Sequence, residues 1–336
     1  MPISRVGARL VTLGAIRTRF NTLCVLAVLC VVGSLCVLCA AGQAGEPGRP
    51  AWGLDRLDQR ASPLDGRFQA PGDGRGIHAY VIDTGVRRTH REFGGRVEWI
   101  GDFTTGTSEG PEVLSADDCD PPPSGGHGTH VASILGGQMS GVARGVSLHA
   151  LRILPCTGTT RTDYVAAVRA VNWITAHGVK PAVVNISPMR SQTDDRALDA
   201  AIAASIRAGF TYVLSAGGIE NLEAYSPQRV REAIKVGSTN ASDAAVQAGY
   251  GPQLTIFAPG VAIGGAGRAS DTAEFSADGD SYAAAFASGV VALHLQQHPN
   301  ATPAEVKNAL LAAATRDIVK NAGASPNLLL HLMGPP

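Results

Sequence analysis

Three short stretches of this chain carry residue types that could do chemistry together. AYVIDTG ends an apolar run on Asp83, just before a glycine turn. GGHGTHVASILGG sets His127 and His130 at the head of an apolar helical run. GDSYAAAFASGVVALHL puts Ser281 at the start of a long run of small residues, where the free N–H groups of a helix N-terminus stabilise an anion. Each alone has an ordinary explanation: an acid after a strand forms turns, and a serine before a helix caps it. The histidines could ligate zinc, but the glutamate of the helical metalloprotease pattern is missing between them and no third ligand stands out. Together, an Asp, a His and a Ser are the parts of a nucleophilic triad. Serine attacks only when a histidine takes its proton, and the histidine needs an acid to hold its tautomer and stabilise its charged form. The order Asp83, His127, Ser281 differs from the Ser, Asp, His order of the α/β-hydrolases, and Ala283 fills the last glycine place of their G-x-S-x-G turn.

Such residues need strand ends and helix starts to hold them, and the pattern after Pro50 supplies both. Apolar runs rich in β-branched residues predict strands at Ile77–Ile82, Val146–Leu154, Ala182–Ile186, Phe210–Ser215, Ala233–Gly237 and Leu254–Phe257. Most are continuous rather than alternating, as in strands covered on both faces. Helical periods lie between them. Thr162–His177 places Val165, Val168, Val171, Trp173 and Ile174 largely on one face, and Asp194–Arg207 does so with Leu198, Ala201, Ile202 and Ile206. Gly178 and Gly209 follow these helices where a left-handed residue would end them. A last helix, Thr302–Thr315, opens with Thr302 as cap and Pro303 in its first turn. Strands alternating with helices predict an α/β fold on a parallel sheet. With no internal repeat and no long linker, Ala51 to Leu332 reads as one domain.

Composition excludes several other classes. The 336 residues are 45% hydrophobic and only 5% aromatic, with 40 Gly and 20 Pro, and 28 basic residues balance 28 acidic ones. Coiled coils, collagens and disordered chains have other extremes, and no concentrated Lys/Arg face is present for nucleic acid. Arg5, Arg9, Arg17 and Arg19 precede every acid and leave 24 basic against 28 acidic residues beyond them. They also precede the uncharged run from Leu23 to Cys39, and small residues follow at Ala40, Ala41, Gly42 and Ala44. That order reads as a signal peptide over residues 1–44, cleaved between about Ala41 and Ala44. The alternative is an uncleaved membrane anchor that holds the domain outside the cytoplasm, since the run approaches the roughly 20 residues of a bilayer span. Leu35 and Leu38 argue against lipidation of Cys36 and Cys39. Cys24, Cys30, Cys36 and Cys39 belong to the apolar run, which leaves Cys119 and Cys156 for an oxidising compartment. They are either one disulfide or two unrelated thiols.

With these motifs in place, the chain resembles the subtilisin family of serine proteases, in its proteinase K and aqualysin branch. AWGLDRLDQRASPLDGRF resembles that branch's mature N-terminus, AYVIDTGVRRTHREFGGRV its aspartate block and GHGTHVAS its histidine block. YSPQRV, IFAPG and SPNLLLHL match later blocks. The resemblance implies a three-layer α/β/α fold on a doubly wound, mainly parallel sheet. It implies an exported, secreted or periplasmic monomeric endopeptidase acting on polypeptides, with Asp83 as orienting acid, His127 as general base and Ser281 as nucleophile. The Ser281 N–H would belong to the oxyanion hole, and His130 would be structural. It also places Cys119 and Cys156 like a disulfide pair of the aqualysin-like members.

The family pattern is broken at several points. Gly218, in SAGGIENL, stands where the family has its oxyanion asparagine, and Asn221 is out of register. In subtilisin itself loss of that donor costs about a hundred- to a thousandfold in kcat. Asp280, before the nucleophile, opposes the developing negative charge unless it points away. The substrate-binding segment reads Ser187, Pro188, Met189, Arg190, with Ser215, Ala216 and Gly217 on the neighbouring strand, and Pro188 has no N–H for a peptide backbone. Thr255 replaces an acid that helps bind calcium in the family, so that site is not carried over and no cofactor is expected. Residues 45–50 form a short linker with no room for an inhibitory propeptide. The alternative function is a catalytically impaired binding protein on the same scaffold.

Overall fold

Each apolar run becomes a strand because both of its faces find a layer of helices. The computed structural model describes residues 52–104, 118–120, 125–155, 164–188, 194–218, 221–246 and 251–334. The segments read as signal peptide and linker, with Cys156, Met189 and Arg190, lie outside them. After a short helix α1 (Trp52–Leu57), the strands are β1 (His78–Asp83), β2 (Val97–Asp102), β3 (Ser147–Arg152), β4 (Ala182–Ile186), β5 (Thr211–Ser215), β6 (Ile234–Thr239) and β8 (Ile256–Pro259). A short β7 (Ala245–Val246), a hairpin of β9 (Ile263–Ala266) and β10 (Glu274–Ala277), and the pair β11 (Thr315–Arg316) and β12 (Leu328–Leu329) complete the described set. The main sheet runs β11-β12-β8-β6-β5-β4-β1-β3-β2, with β7 against β6. All its pairs from β12 to β2 are parallel, and only β11 and β7 run antiparallel.

The helices divide between the two faces. On one, α2 (His127–Gly136), α5 (Asp280–Gln297) and α6 (Pro303–Ala313) share a core with Ala79, Val81, Val183 and Val236. On the other, α3 (Tyr164–His177) and α4 (Arg196–Arg207) cover Tyr80, Ile82, Val184 and Leu214. Alternate residues of one strand thus enter opposite cores, and the fold is the expected three-layer α/β/α sandwich. The chain adds β2 and β3 on one side of β1 and β4, β5 and β6 on the other. Strand order therefore reverses around β1, and the crevice beyond the carboxyl ends of β1 and β4 is where open α/β sheets bind ligands. Asp83 ends β1, and Ser187 follows β4.

Local expectations hold to within a few residues, with informative exceptions. Thr302 caps α6 in a full capping box with Glu305, and Asp195 caps α4. Gly209 is left-handed as expected, whereas Gly178 is not. Val165 does not share the buried face of α3: it is 56% exposed, and Ala166, Ala167, Ala170, Val171 and Ile174 form the contact instead. Small alanines let α3 lie close to the sheet, which period counting on bulky residues misses. Strand β2 and the β9–β10 hairpin were not expected. VEWIGD lies at the sheet edge with only part of its surface covered, IGGA is glycine-rich, and EFSA is only partly covered.

Candidate active site

Asp83 and His127 meet through tight backbone contact. Asp83 is fully buried at the end of β1, and its Oδ1 accepts the His127 Nδ1–H at 2.7 Å and the Thr84 N–H at 2.8 Å. His127 is the first residue of α2. A Cβ on the next residue, Gly128, would fall 2.1 Å from the Gly85 carbonyl oxygen, so glycine is what lets the helix start lie against the aspartate turn. The Nδ1 bond leaves His127 Nε2 as the acceptor. Burial opposes a charge on this imidazole, but the Asp83 carboxylate, by its charge and hydrogen bond, outweighs burial and raises the pKa above the ordinary value. His130, three residues on, is buried and spends Nε2 on the Ile263 carbonyl at 3.0 Å. Burial and the neighbouring His127 lower its pKa to about 4, which suits a neutral structural residue.

A second acid, absent from the sequence reading, clamps this pair. Asp118 is fully buried, with Oδ1 accepting Thr84 Oγ1–H at 2.8 Å and the Asp120 N–H at 3.1 Å. Its Oδ2 accepts the Thr129 N–H at 2.9 Å and the Thr129 hydroxyl. Thr84 Oγ1 in turn accepts the Gly128 N–H at 2.8 Å, and Asp120 Oδ2 accepts the His127 N–H at 2.9 Å. Asp118 thereby ties the residue after Asp83 to the first turn of α2. Its own pKa is raised by burial, against the pull of these donors. The sequence offered one sign, a cluster of aspartates before GGHGTH, but such a cluster resembles a solvated loop.

The surroundings of Ser281 are built differently. Gly279 is the N-cap of α5 and gives no side-chain cap, so Ser281 is the helix's second residue and not its cap. Ser281 is 8% exposed, and its Oγ–H donates to the Ser187 carbonyl at 3.3 Å. Ser215 Oγ–H donates to the same carbonyl at 2.7 Å, while Ser187 Oγ–H donates to the Ser281 carbonyl at 3.3 Å. Among the described residues no hydrogen bond joins Ser281 to His127. The Tyr282 ring lies 5.8 Å from the His127 ring and 4.6 Å from that of His130, centroid to centroid, which brings the two helix starts together. Ala216 is buried beyond Ser215, and Gly217 and Gly218 are both left-handed, with φ of 72° and 68°. Asp280 points toward this turn: its Oδ2 accepts the Gly218 N–H and its Oδ1 the Ser238 N–H, both at 3.0 Å, while the Ser238 hydroxyl lies 2.7 Å from that Oδ1 and 2.6 Å from the Val246 carbonyl.

This chain matches the subtilase family (Peptidase_S8) over residues 74–332. It belongs to that family. The subtilase is 46% identical over 284 residues to the extracellular serine proteinase of Thermus sp. (strain Rt41A), covering 83% of this chain and 65% of that one. It is 38% identical over 283 residues to alkaline serine exoprotease A of Vibrio alginolyticus, covering 83% and 50%. The chain therefore spans between half and two thirds of the length of these relatives. A crystal structure of a cold adapted subtilisin-like serine proteinase superposes with a TM-score of 0.76 at 34% identity, over 85% of this chain and 99% of that chain. The subtilisin-like fold expected from the sequence is the one observed.

Two remaining positions of the subtilase depart from a metal site or lie at the edge of what is described. The Thr255 hydroxyl accepts the Lys235 N–H at 3.0 Å. Nearby, Lys307 Nζ donates to the Arg231 and Ala233 carbonyls at 2.6 and 3.1 Å, and Lys235 Nζ reaches the Val230 carbonyl at 3.4 Å. A neutral hydroxyl already accepting a backbone N–H is a weaker ligand for a divalent cation than the acid the family has there. Cys119 donates its N–H to the Thr84 carbonyl at 3.0 Å, and its Sγ lies 2.7 Å from Arg152 Nη1. Among the described residues no helix is long and apolar enough to cross a membrane.

Proposed function

We propose that this subtilase is an exported serine endopeptidase that cleaves polypeptides through an acyl-enzyme on Ser281. The observation that carries the reading is the 2.7 Å Asp83–His127 bond, set at the crevice where α5 presents Ser281. The bond commits Nδ1–H to Asp83 and leaves Nε2 unprotonated. A rotation of the Ser281 side chain away from the Ser187 carbonyl brings its hydroxyl to Nε2. The imidazole takes the proton as Oγ attacks the scissile carbonyl, and the Asp83 carboxylate stabilises the imidazolium. The Ser281 N–H, free at a helix N-terminus, receives the oxyanion. Collapse passes the proton from His127 Nε2 to the leaving amine, and water repeats the sequence to release the acid. Gly218 offers no side-chain donor, so turnover is slow by subtilisin standards.

The second reading, a binding protein on the same scaffold, is favoured by Gly218 and Pro188. We assign Cys119 and Cys156 to one disulfide. The support is that Arg152, four residues before Cys156, already touches the Cys119 sulfur. We assign no calcium to the Thr255 position, on the strength of its neutral hydroxyl, which accepts the Lys235 N–H, and expect a monomer.

Labelling of the purified domain with a fluorophosphonate probe tests the main reading, beside Ser281→Ala and Gly218→Asn. A Cβ at 218 meets nothing within 4 Å, and asparagine tolerates positive φ better than most residues. The expected result is labelling confined to proteins that keep Ser281, faster by roughly ten- to a hundredfold in Gly218→Asn. A folded wild type that does not label refutes the protease reading and leaves the binding protein.

A further inference from the structure

A carboxylate beside a nucleophile is expected to oppose the negative charge that builds on the substrate. The surroundings of Asp280 give it another role. The residue is 6% exposed; among the described residues its Oδ2 accepts the Gly218 N–H and its Oδ1 the Ser238 N–H, and the Ser238 hydroxyl lies between that Oδ1 at 2.7 Å and the Val246 carbonyl at 2.6 Å. Ser238 lies on β6, Gly218 in the turn after β5, and Asp280 in the first turn of α5. Three elements thus converge on one carboxylate. Its position at a helix N-terminus favours the charge, and hydrogen bonds to an ionised acceptor are about twice as strong as neutral ones.

Among the described residues, the Gly218 N–H has Asp280 as its partner. Gly217 and Gly218 are consecutive left-handed glycines, Gly217 is half-buried and Gly218 exposed. A pair of glycines loses more conformational freedom on ordering than any other pair. Without an anchor, the backbone next to the Ser281 N–H would sample many shapes, and few of them would face a substrate carbonyl.

We propose that Asp280 is a positioning residue, which pins the Gly217–Gly218 turn to the start of the nucleophile helix and so keeps the oxyanion pocket in shape where no side chain at 218 does so. The proposal rests on the protease reading for its catalytic consequence. It reverses the expectation from sequence: the carboxylate is aimed at backbone donors, and its removal slows the reaction.

The test compares wild type, Asp280→Asn and Asp280→Ala in two measurements. Amide hydrogen exchange at Gly218 and Ser238 reads the turn directly, and fluorophosphonate labelling with ester hydrolysis reads the chemistry. Asp280→Asn has the same shape but turns one acceptor into a donor facing these N–H groups, and Asp280→Ala removes the bonds to both backbone N–H groups. Exchange at Gly218 should quicken at least tenfold in both. Labelling and kcat should fall by roughly tenfold to a hundredfold, with KM near wild type, because the loss falls on the transition state. Unchanged exchange at Gly218, or faster labelling in Asp280→Asn, would overturn the proposal. A wild type that fails to label refutes the protease reading alone, and exchange at Gly218 still decides whether Asp280 holds the turn.

Discussion

The two halves of the proposed catalytic crevice are fixed by different means. On the acid–base side, Asp83, Thr84, Asp118, Asp120 and the first turn of α2 are linked by hydrogen bonds of 2.7 to 3.1 Å. Each element there is held by more than one bond, and Gly128 shows how little room is left. On the nucleophile side, Ser281 Oγ has one long bond, to Ser187, and the neighbouring turn is two glycines pinned by Asp280. The contrast follows from what each half must hold. A general base works only in one tautomer and one orientation, so its surroundings are over-determined. An oxyanion pocket is built from backbone, and the same backbone can be held by a substituted side chain with different consequences for rate.

The largest effect that would sharpen this contrast is expected from Asp83→Asn. An amide in that place keeps the shape but donates where it should accept, and it turns the His127 ring to the wrong tautomer. Labelling should fall by about ten thousandfold, while thermal unfolding changes little. A loss under tenfold would mean that the acid–base half is not the rigid half.

Asp118→Ala is expected to act on stability. It strips partners from buried Thr84 and Thr129 together and should cost about 3 kcal/mol, read from denaturant midpoints at constant slope. The same variant should also slow labelling, since His127 loses the clamp on its helix. Unaltered stability would show that the cluster is a loop feature without structural weight.

A third expectation concerns pH. The proposed mechanism requires neutral His127, and Asp83 raises the pKa of that imidazole above the ordinary 6.5 in spite of burial. Labelling should therefore be constant at alkaline pH and fall about tenfold per unit once pH drops below that raised value. Stability moves the other way. A histidine whose folded pKa is raised contributes stability that is fully present below the unfolded value near 6.5 and is lost as pH rises through the folded value. In the window between, the protein is more stable and less active. A labelling limb centred below 6.5 would show that burial, and not Asp83, governs the base.

The same division explains what was legible in the sequence. Strands β1, β4 and β5 announced themselves because burial on both faces demands continuous apolar runs. Asp83, His127 and Ser281 stood at the ends of such runs with glycines beside them. Edge strand β2 carries Glu98, which is paired with His149 and faces solvent, so no apolar run marks it. Asp118 was hidden because its partners are hydroxyls and N–H groups of distant segments, which no spacing rule connects. Asp280 was visible as a departure, but its effect depends on direction, and direction is set by Ser238 and Gly218, far away in sequence.

The smallest expected effect lies behind the nucleophile half. Lys307 Nζ joins α6 to the turn that leads into β6, through the Arg231 and Ala233 carbonyls, and β6 carries the Ser238 that holds Asp280. Burial lowers the pKa of Lys307, opposed by nearby Glu232, yet its stem packs usefully whatever its charge. Lys307→Met keeps that stem and removes the charge-assisted bonds, so it should cost about 1–2 kcal/mol and lower the melting temperature by a few degrees. Labelling of the folded protein should stay within twofold, because Asp280 still has Ser238 and Gly218 within reach. A variant that melts as wild type but labels far more slowly would join this turn to the nucleophile half, and the line between a rigid base and a pinned oxyanion pocket would have to be redrawn around β6.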